Sequence, residues 1–117
     1  MRVMVIVKAT EDSEAGYPPS AELLQAMGKF NDELLKAGVM LSGDGLRPSS
    51  QGKRVAFDGT KRTVIDGPFA ETKEQLGGYY LIEAKDLNEA IQIAGRIPSV
   101  RYGSVEIRPI QEFEETQ

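Results

Sequence analysis

From Arg2 to Lys8 the chain reads RVMVIVK, apolar on both alternating sets of a strand, with Val3, Val5 and Val7 on one side and Met4 and Ile6 on the other. A strand of that kind belongs in the middle of a sheet with both faces covered. Beyond a loop containing Gly16, Pro18 and Pro19, Ser20 is placed to cap a helix in which Leu23, Met27, Phe30 and Leu34 recur at helical spacing, with Leu24 and Leu35 widening the stripe. Gly38 ends that helix. Residues 39–46 (VMLSGDGL) predict a second strand, interrupted by glycine at a bulge. Two short β-prone runs then flank Asp58-Gly59, whose tolerance of positive φ signals a hairpin. Gly77 and Gly78 precede a further strand, YYLIEA, and Asp86 with Glu89 three residues on caps a helix that runs to Ile97 and stops at Pro98. The last strand is SVEIRPI, residues 104–110, expected to be central, with Val105 and Ile107 on one face and Glu106 and Arg108 on the other.

The resulting order is strand, helix, strand, inserted hairpin, strand, helix, strand, which reads as two βαβ halves. Right-handed crossovers put both helices on one face of a single sheet, a ferredoxin-like α+β arrangement. The opposite face then lacks a cover. It carries Met4 and Ile6, together with either the Tyr79 and Leu81 set or the Tyr80 and Ile82 set. A patch of that size calls for a partner, and two-fold pairing of sheet against sheet in a homodimer is the economical solution. Residues 1–110 form one domain on this reading, and residues 111–117 an acidic tail around Glu112, Glu114 and Glu115.

Composition narrows the chemistry. With 40% apolar and 27% charged residues the chain is ordinary for a globular protein. It contains no cysteine and no histidine. Disulfides, thiolate nucleophiles and Cys-ligated zinc are therefore excluded, and Ser42, Ser49 and Ser104 lack a conventional activating base. The remaining carboxylates match no calcium loop, so no metal and no cofactor is expected. GDGL at 43–46 lacks the Gly-Lys-Ser/Thr ending of a phosphate loop. A net charge of −4 with scattered basic residues opposes direct nucleic-acid binding. The run Val3 to Val7 is too short for a signal-peptide core or a membrane span, and a cytoplasmic protein is expected.

Asp66 is the sharpest chemical candidate. It closes the run Thr63-Val64-Ile65 at a strand end, where a carboxylate can point into a cleft mouth, and Gly67-Pro68 fixes a turn behind it. In apolar surroundings it would serve as a general acid or base; in an Asx-turn it would accept backbone N–H groups of its own loop. Phe69 reads as a core plug under the turn or as a surface on which a substrate stacks. Glu71, Lys73 and Glu74 read as an exposed helical turn in which Thr72 and Gln75 form a capping box. Glu106 and Arg108 form either a buried ion pair holding the interface or an anion-binding arginine with its orienting carboxylate. Of Tyr79 and Tyr80, one supplies a ring to the core and the other a hydroxyl to the cleft, and parity alone leaves open which does which.

DGPFAETKEQLGGYY, with the downstream DLNEAIQIAGRIPS and the closing GSVEIRPI, resembles the DGPF group of the YCII-related proteins over nearly the whole chain, Met1 to Ile110. The resemblance implies a dimeric α+β barrel, usually of unknown function, with relatives fused to sigma-factor domains of the extracytoplasmic-function type. It also implies a candidate His and Asp for catalysis. The Asp corresponds to Asp66, the chain holds no histidine, and Tyr102 stands where related sequences often read His before GSVE. Three functions follow. The first is a small-molecule enzyme or binder using the barrel cleft, with Asp66, Arg108 and a tyrosine. The others are a non-catalytic accessory module of transcription initiation and a structural dimerisation domain.

Overall fold

The computed structural model describes residues 1–70, 74–99 and 103–113. In chain order these form β1 (Arg2–Lys8), α1 (Glu11–Glu14), α2 (Ala21–Lys36), β2 (Met40–Gly45), a 3₁₀ turn (Ser49–Gln51), β3 (Lys53–Asp58), β4 (Lys61–Asp66), β5 (Leu76–Glu83), α3 (Leu87–Gly95) and β6 (Val105–Pro109). The fold is mixed α+β. One sheet has the order β2-β5-β1-β6, with every neighbouring pair antiparallel, and β3 and β4 form a separate two-stranded sheet.

Local signals explain most of the elements. Ser20 Oγ accepts the Leu23 N–H at 3.1 Å at the start of α2, and Gly38, at φ 72°, turns the chain away beyond its end. Asp86 Oδ1 accepts the Glu89 N–H at 2.8 Å, while the Glu89 carboxylate reaches back to Lys85 N–H. The short α1 was not anticipated. Its signal is Thr10-Glu-Asp-Ser13, where Thr10 and Ser13 cap one another reciprocally.

The alternation in the strands sorts the sheet into two faces. Val3 lies opposite Ile82, and Val5 lies between Tyr80 and Ile107. These residues meet Phe30 and Leu34 of α2 and Ala90, Ile93 and Ala94 of α3, so both helices cover this one face. Val3, Val5 and Ile82 are fully buried, each contributing about 1.5–3 kcal/mol of apolar burial. The parity question is thereby resolved: Tyr80 and Ile82 face the helices, and Tyr79 and Leu81 face the other way with Met4 and Ile6.

Several expectations change. β6 is an edge strand, because β5, not β6, takes the place beside β1 that separates β1 from β2. Leu24 and Leu35 do not widen the buried stripe of α2; both remain more than half exposed. α3 ends at Gly95, two residues before Ile97, in a tighter turn whose Ile97 N–H bonds Ala94 C=O. The irregularity in β2 falls between Met40 and Ser42 rather than at a glycine. Gly77 and Gly78 lie within β5 instead of preceding it. A Cβ on Gly78 would stand 2.9 Å from the Asp44 carbonyl oxygen, so the close approach of β2 to β5 requires glycine there.

The β3–β4 hairpin stands apart from this body. Gly59 adopts φ 62° at its tip, and all twelve strand residues are exposed. The radius of gyration, 16.3 Å, exceeds the roughly 13–14 Å of a compact chain this long, and the extents are 51 × 46 × 19 Å. The hairpin is an arm.

Candidate functional site

The face opposite the helices is the most chemically varied surface of the sheet. Alternation along β1 brings Met4, Ile6 and Lys8 to it, and register adds Leu81 and Tyr79 from β5, Glu106 and Arg108 from β6, and Ser42 and Asp44 from β2. None of these residues is buried. Met4, Ile6 and Leu81 form a half-buried apolar floor. Charged and hydroxyl groups surround it.

Glu106 organises one side of that ring. Arg108 Nη1 donates to Glu106 Oε2 at 3.0 Å, and Lys8 Nζ lies 3.8 Å from Glu106 Oε1 and 3.9 Å from Glu74 Oε2. The Arg108 hydrogen bond, reinforced by the Lys8 charge, holds the Glu106 carboxyl below its ordinary range, so it is ionised at neutral pH. Lys8 is largely sheltered, with 15% of its side chain exposed, whereas Arg108 is 67% exposed. Arg108 therefore keeps most of its donors available to a carboxylate or phosphate. On the β2 side, Tyr79 O–H donates to Asp44 Oδ2 at the long distance of 3.5 Å.

Sequence reasoning anticipated Glu106, Arg108 and the alternative Tyr79 for this face but passed over Lys8, Asp44 and Glu74. The signal for Lys8 lay in the alternation Met4, Ile6, Lys8, which carries the open face one residue past the apolar run. Tyr80 belongs elsewhere. Its ring meets Phe30 edge-on with centroids 6.1 Å apart, and its O–H donates to Asn31 Oδ1 at 2.8 Å, so it is a core residue.

Asp66 sits at the base of the arm. It pairs across the ribbon with Lys53, whose ammonium donates to Asp66 Oδ1, and both side chains are largely exposed. Such a pair is worth roughly 0–1 kcal/mol. Among the described residues Asp66 makes no hydrogen bond or ion pair with the sheet-face group. Backbone contacts hold the turn behind it. Gly67 N–H donates to Gly52 C=O at 3.2 Å, and a Cβ on Gly67 would fall 1.9 Å from the Ser49 carbonyl oxygen, a position only glycine can occupy. Pro68 is exposed and follows a cis peptide bond, and the half-buried Phe69 lies outside the core cluster, beneath the Arg54 guanidinium at 4.7 Å. Glu14 Oε2 accepts both the backbone N–H and the hydroxyl of Ser49, tying α1 to the same turn. Gln75 is buried and donates to Ala70 C=O at 2.7 Å. Glu71, Thr72, Lys73 and Tyr102 lie outside the described residues, so the capping box and the histidine-replacing tyrosine do as well.

At the C-terminus, Glu112 forms a two-point pair with Arg2 at 2.6 and 2.9 Å, which lowers its pKa and raises that of Arg2. Glu114 and Glu115 lie outside the described residues. Among the described residues no group of three or more Asp or Glu is placed to hold a metal ion, and no helix is long and apolar enough to cross a membrane.

A chain of this design is an antiparallel α+β protein whose helices cover one sheet face and whose other face presents a polar ring on an apolar floor. The chain belongs to the YCII-related family, whose domain it matches over residues 1–114. It is also similar to an uncharacterised protein of Rhizobium meliloti (strain 1021), with 40% identity over 67 residues. That match takes in 56% of this chain and 54% of the relative, so the chain spans about half the length of the curated relative it matches.

Proposed function

We propose that this protein is a DGPF-type YCII-related homodimer that binds, and with Asp66 as acid or base transforms, a small anionic molecule between two sheets. The observation that carries the reading is the uncovered sheet face, where an apolar floor is ringed by Lys8, Tyr79, Asp44, Glu106 and Arg108. The sheet order β2-β5-β1-β6, with helices on one side, supports a ferredoxin-like unit, and pairing two such units by their open faces makes a dimeric α+β barrel. The same geometry supplies an apolar cleft with a few convergent polar groups, the usual form of a small-molecule site. Arg108 grips the anionic group, Glu106 orients Arg108, and Tyr79 supplies a hydroxyl across the floor. Tyr80 serves the site only as the core support beneath it.

Native mass spectrometry of protein purified without added ligand tests this. The expected result is a dimer carrying a small molecule, with Arg108→Ala losing about 10- to 100-fold in affinity, as removal of a charge-assisted pair does. Asp66→Asn should keep binding and fold while losing any turnover by orders of magnitude. A dimer that arrives empty, with Arg108→Ala indistinguishable from wild type against a panel of carboxylates and phosphates, would make it a structural dimerisation domain.

A further inference from the structure

The β3–β4 arm needs a cover that the described residues of its own chain do not provide. Val55 is 46% exposed, Val64 56% and Phe57 72%. A two-stranded ribbon standing alone is marginally stable in water and depends on a further strand or a packed face. The register pairs Val55 with Val64, Phe57 with Arg62 and Lys53 with Asp66, and alternation places these three pairs on the same face of the ribbon. The apolar patch and the candidate carboxylate therefore share a surface, the patch toward the tip and Asp66 at the base.

Charge indicates what covers that face. Residues 53–66 hold four of the chain's 14 Lys and Arg but only two of its 18 Asp and Glu, a balance of +2, which leaves −6 on the rest of the chain. A second copy thus offers an acidic body to a basic arm, and two-fold symmetry satisfies both arms at once. The base of the arm is also anchored: the Ser49 carbonyl lies where a Cβ on Gly67 would stand, and Ser49 is held by Glu14, so the turn that carries Asp66 is tied to α1.

We infer that each arm docks by its Val55, Phe57 and Val64 face on the body of a second copy, enclosing the Asp66–Lys53 pair in a site built from two chains. The inference rests on the homodimer reading above and specifies the element that reaches across. Covered in this way, Asp66 loses the solvent that surrounds it in the single chain, and its carboxylate gains the desolvated setting that acid-base chemistry needs.

Sedimentation velocity over a concentration series, with amide exchange on the same samples, tests it. Phe57→Ser should raise the dimer dissociation constant at least 10-fold, as truncating a buried interface aromatic does. Arg62→Glu should do so through charge alone, most strongly at low salt. Leu24→Ser, which removes an exposed apolar side chain from the outer side of α2, should change it less than twofold. Amides of residues 53–66 should exchange more slowly in the dimer than at dilutions where monomer prevails. A wild-type dimer that both arm variants leave intact, or whose arm amides exchange equally fast in monomer and dimer, overturns the arm inference and leaves the homodimer standing. A wild-type protein that is monomeric throughout overturns the homodimer reading and this inference with it.

Discussion

Tyr79 and Tyr80 are adjacent in sequence and opposite in consequence, so removing one hydroxyl at a time tests the register of the whole sheet. Tyr80→Phe keeps the buried ring and its edge-on contact with Phe30 but deletes the 2.8 Å hydrogen bond to Asn31. One such bond contributes about 0.5–1.5 kcal/mol, and Asn31, only half-buried, can recover part of it from water. With an unfolding entropy of about 2.1 cal/mol/K per residue, 1 kcal/mol in a chain this long is a fall in Tm of about 4 °C. Tyr79→Phe deletes a 3.5 Å contact on the open face and should stay within about 0.5 kcal/mol. Thermal and urea unfolding followed by far-UV circular dichroism measures both, the chain having no tryptophan to report. Burial also pushes the Tyr80 phenol above its usual value, with the Asn31 amide, able to turn its NH₂ toward a phenolate, offsetting part of that rise. The unfolded chain therefore ionises this tyrosine first. Its contribution is fully present below about pH 10 and is lost as pH rises from there through the folded value. Tyr80→Phe should flatten that alkaline decline. If Tyr79→Phe proves the costlier change, or if the alkaline slope follows Tyr79, then β5 is inserted the other way round and the assignment of both faces falls.

Gly67→Ala places a methyl group against the Ser49 carbonyl, so the turn must shift and the Gly67–Gly52 hydrogen bond must break. A loss of about 2–3 kcal/mol is expected, read as accelerated amide exchange at the arm base and a lower urea midpoint, whereas Gly28→Ala, with open space at its Cβ in α2, should be neutral or slightly stabilising. On the acid side, the Arg108 bond and the Lys8 charge keep Glu106 ionised to lower pH in the folded chain than in the unfolded one. Its contribution is present above the ordinary carboxylate range and fades as pH falls through the folded value, so Arg108→Ala should move the Glu106 titration upward by NMR; an unchanged titration would contradict the pair.

How much of this was legible follows from the range of each interaction. The helix caps at Ser20 and Asp86, the stop at Gly38 and the hairpin at Asp58-Gly59 are set within a few residues, and their residue types announce them. The edge position of β6 is set by which strand lies beside β1, a pairing between residues some 75 positions apart for β5 and some 100 for β6, and no local signal carries it. Leu24 and Leu35 illustrate the same limit of periodicity: the stripe they would widen is apolar enough for a broad core, but the two helices share one four-stranded sheet and only Phe30 and Leu34 of α2 become buried. Within the candidate site, alternation supplied Glu106 and Arg108, whereas Asp44 reached the face only through the irregular step between Met40 and Ser42, which resets the parity of β2.

The DGPF turn divides along the same line. Its glycine is explained by packing, since the Ser49 carbonyl occupies the space where any side chain would begin. Its acid is not explained that way. The turn is closed by backbone groups of Gly67 and Gly52, and among the described residues Asp66 meets only the exposed Lys53 ammonium, a pairing that a glutamate or no charge at all would disturb by a fraction of a kcal/mol. Among the described residues of one chain the carboxylate therefore has little structural work. It shares a ribbon face with Val55, Val64 and Phe57, so the arm docking proposed above would enclose the carboxylate together with that apolar patch. On that proposal the chemistry of the turn would belong to the assembly, while its shape is a property of the chain.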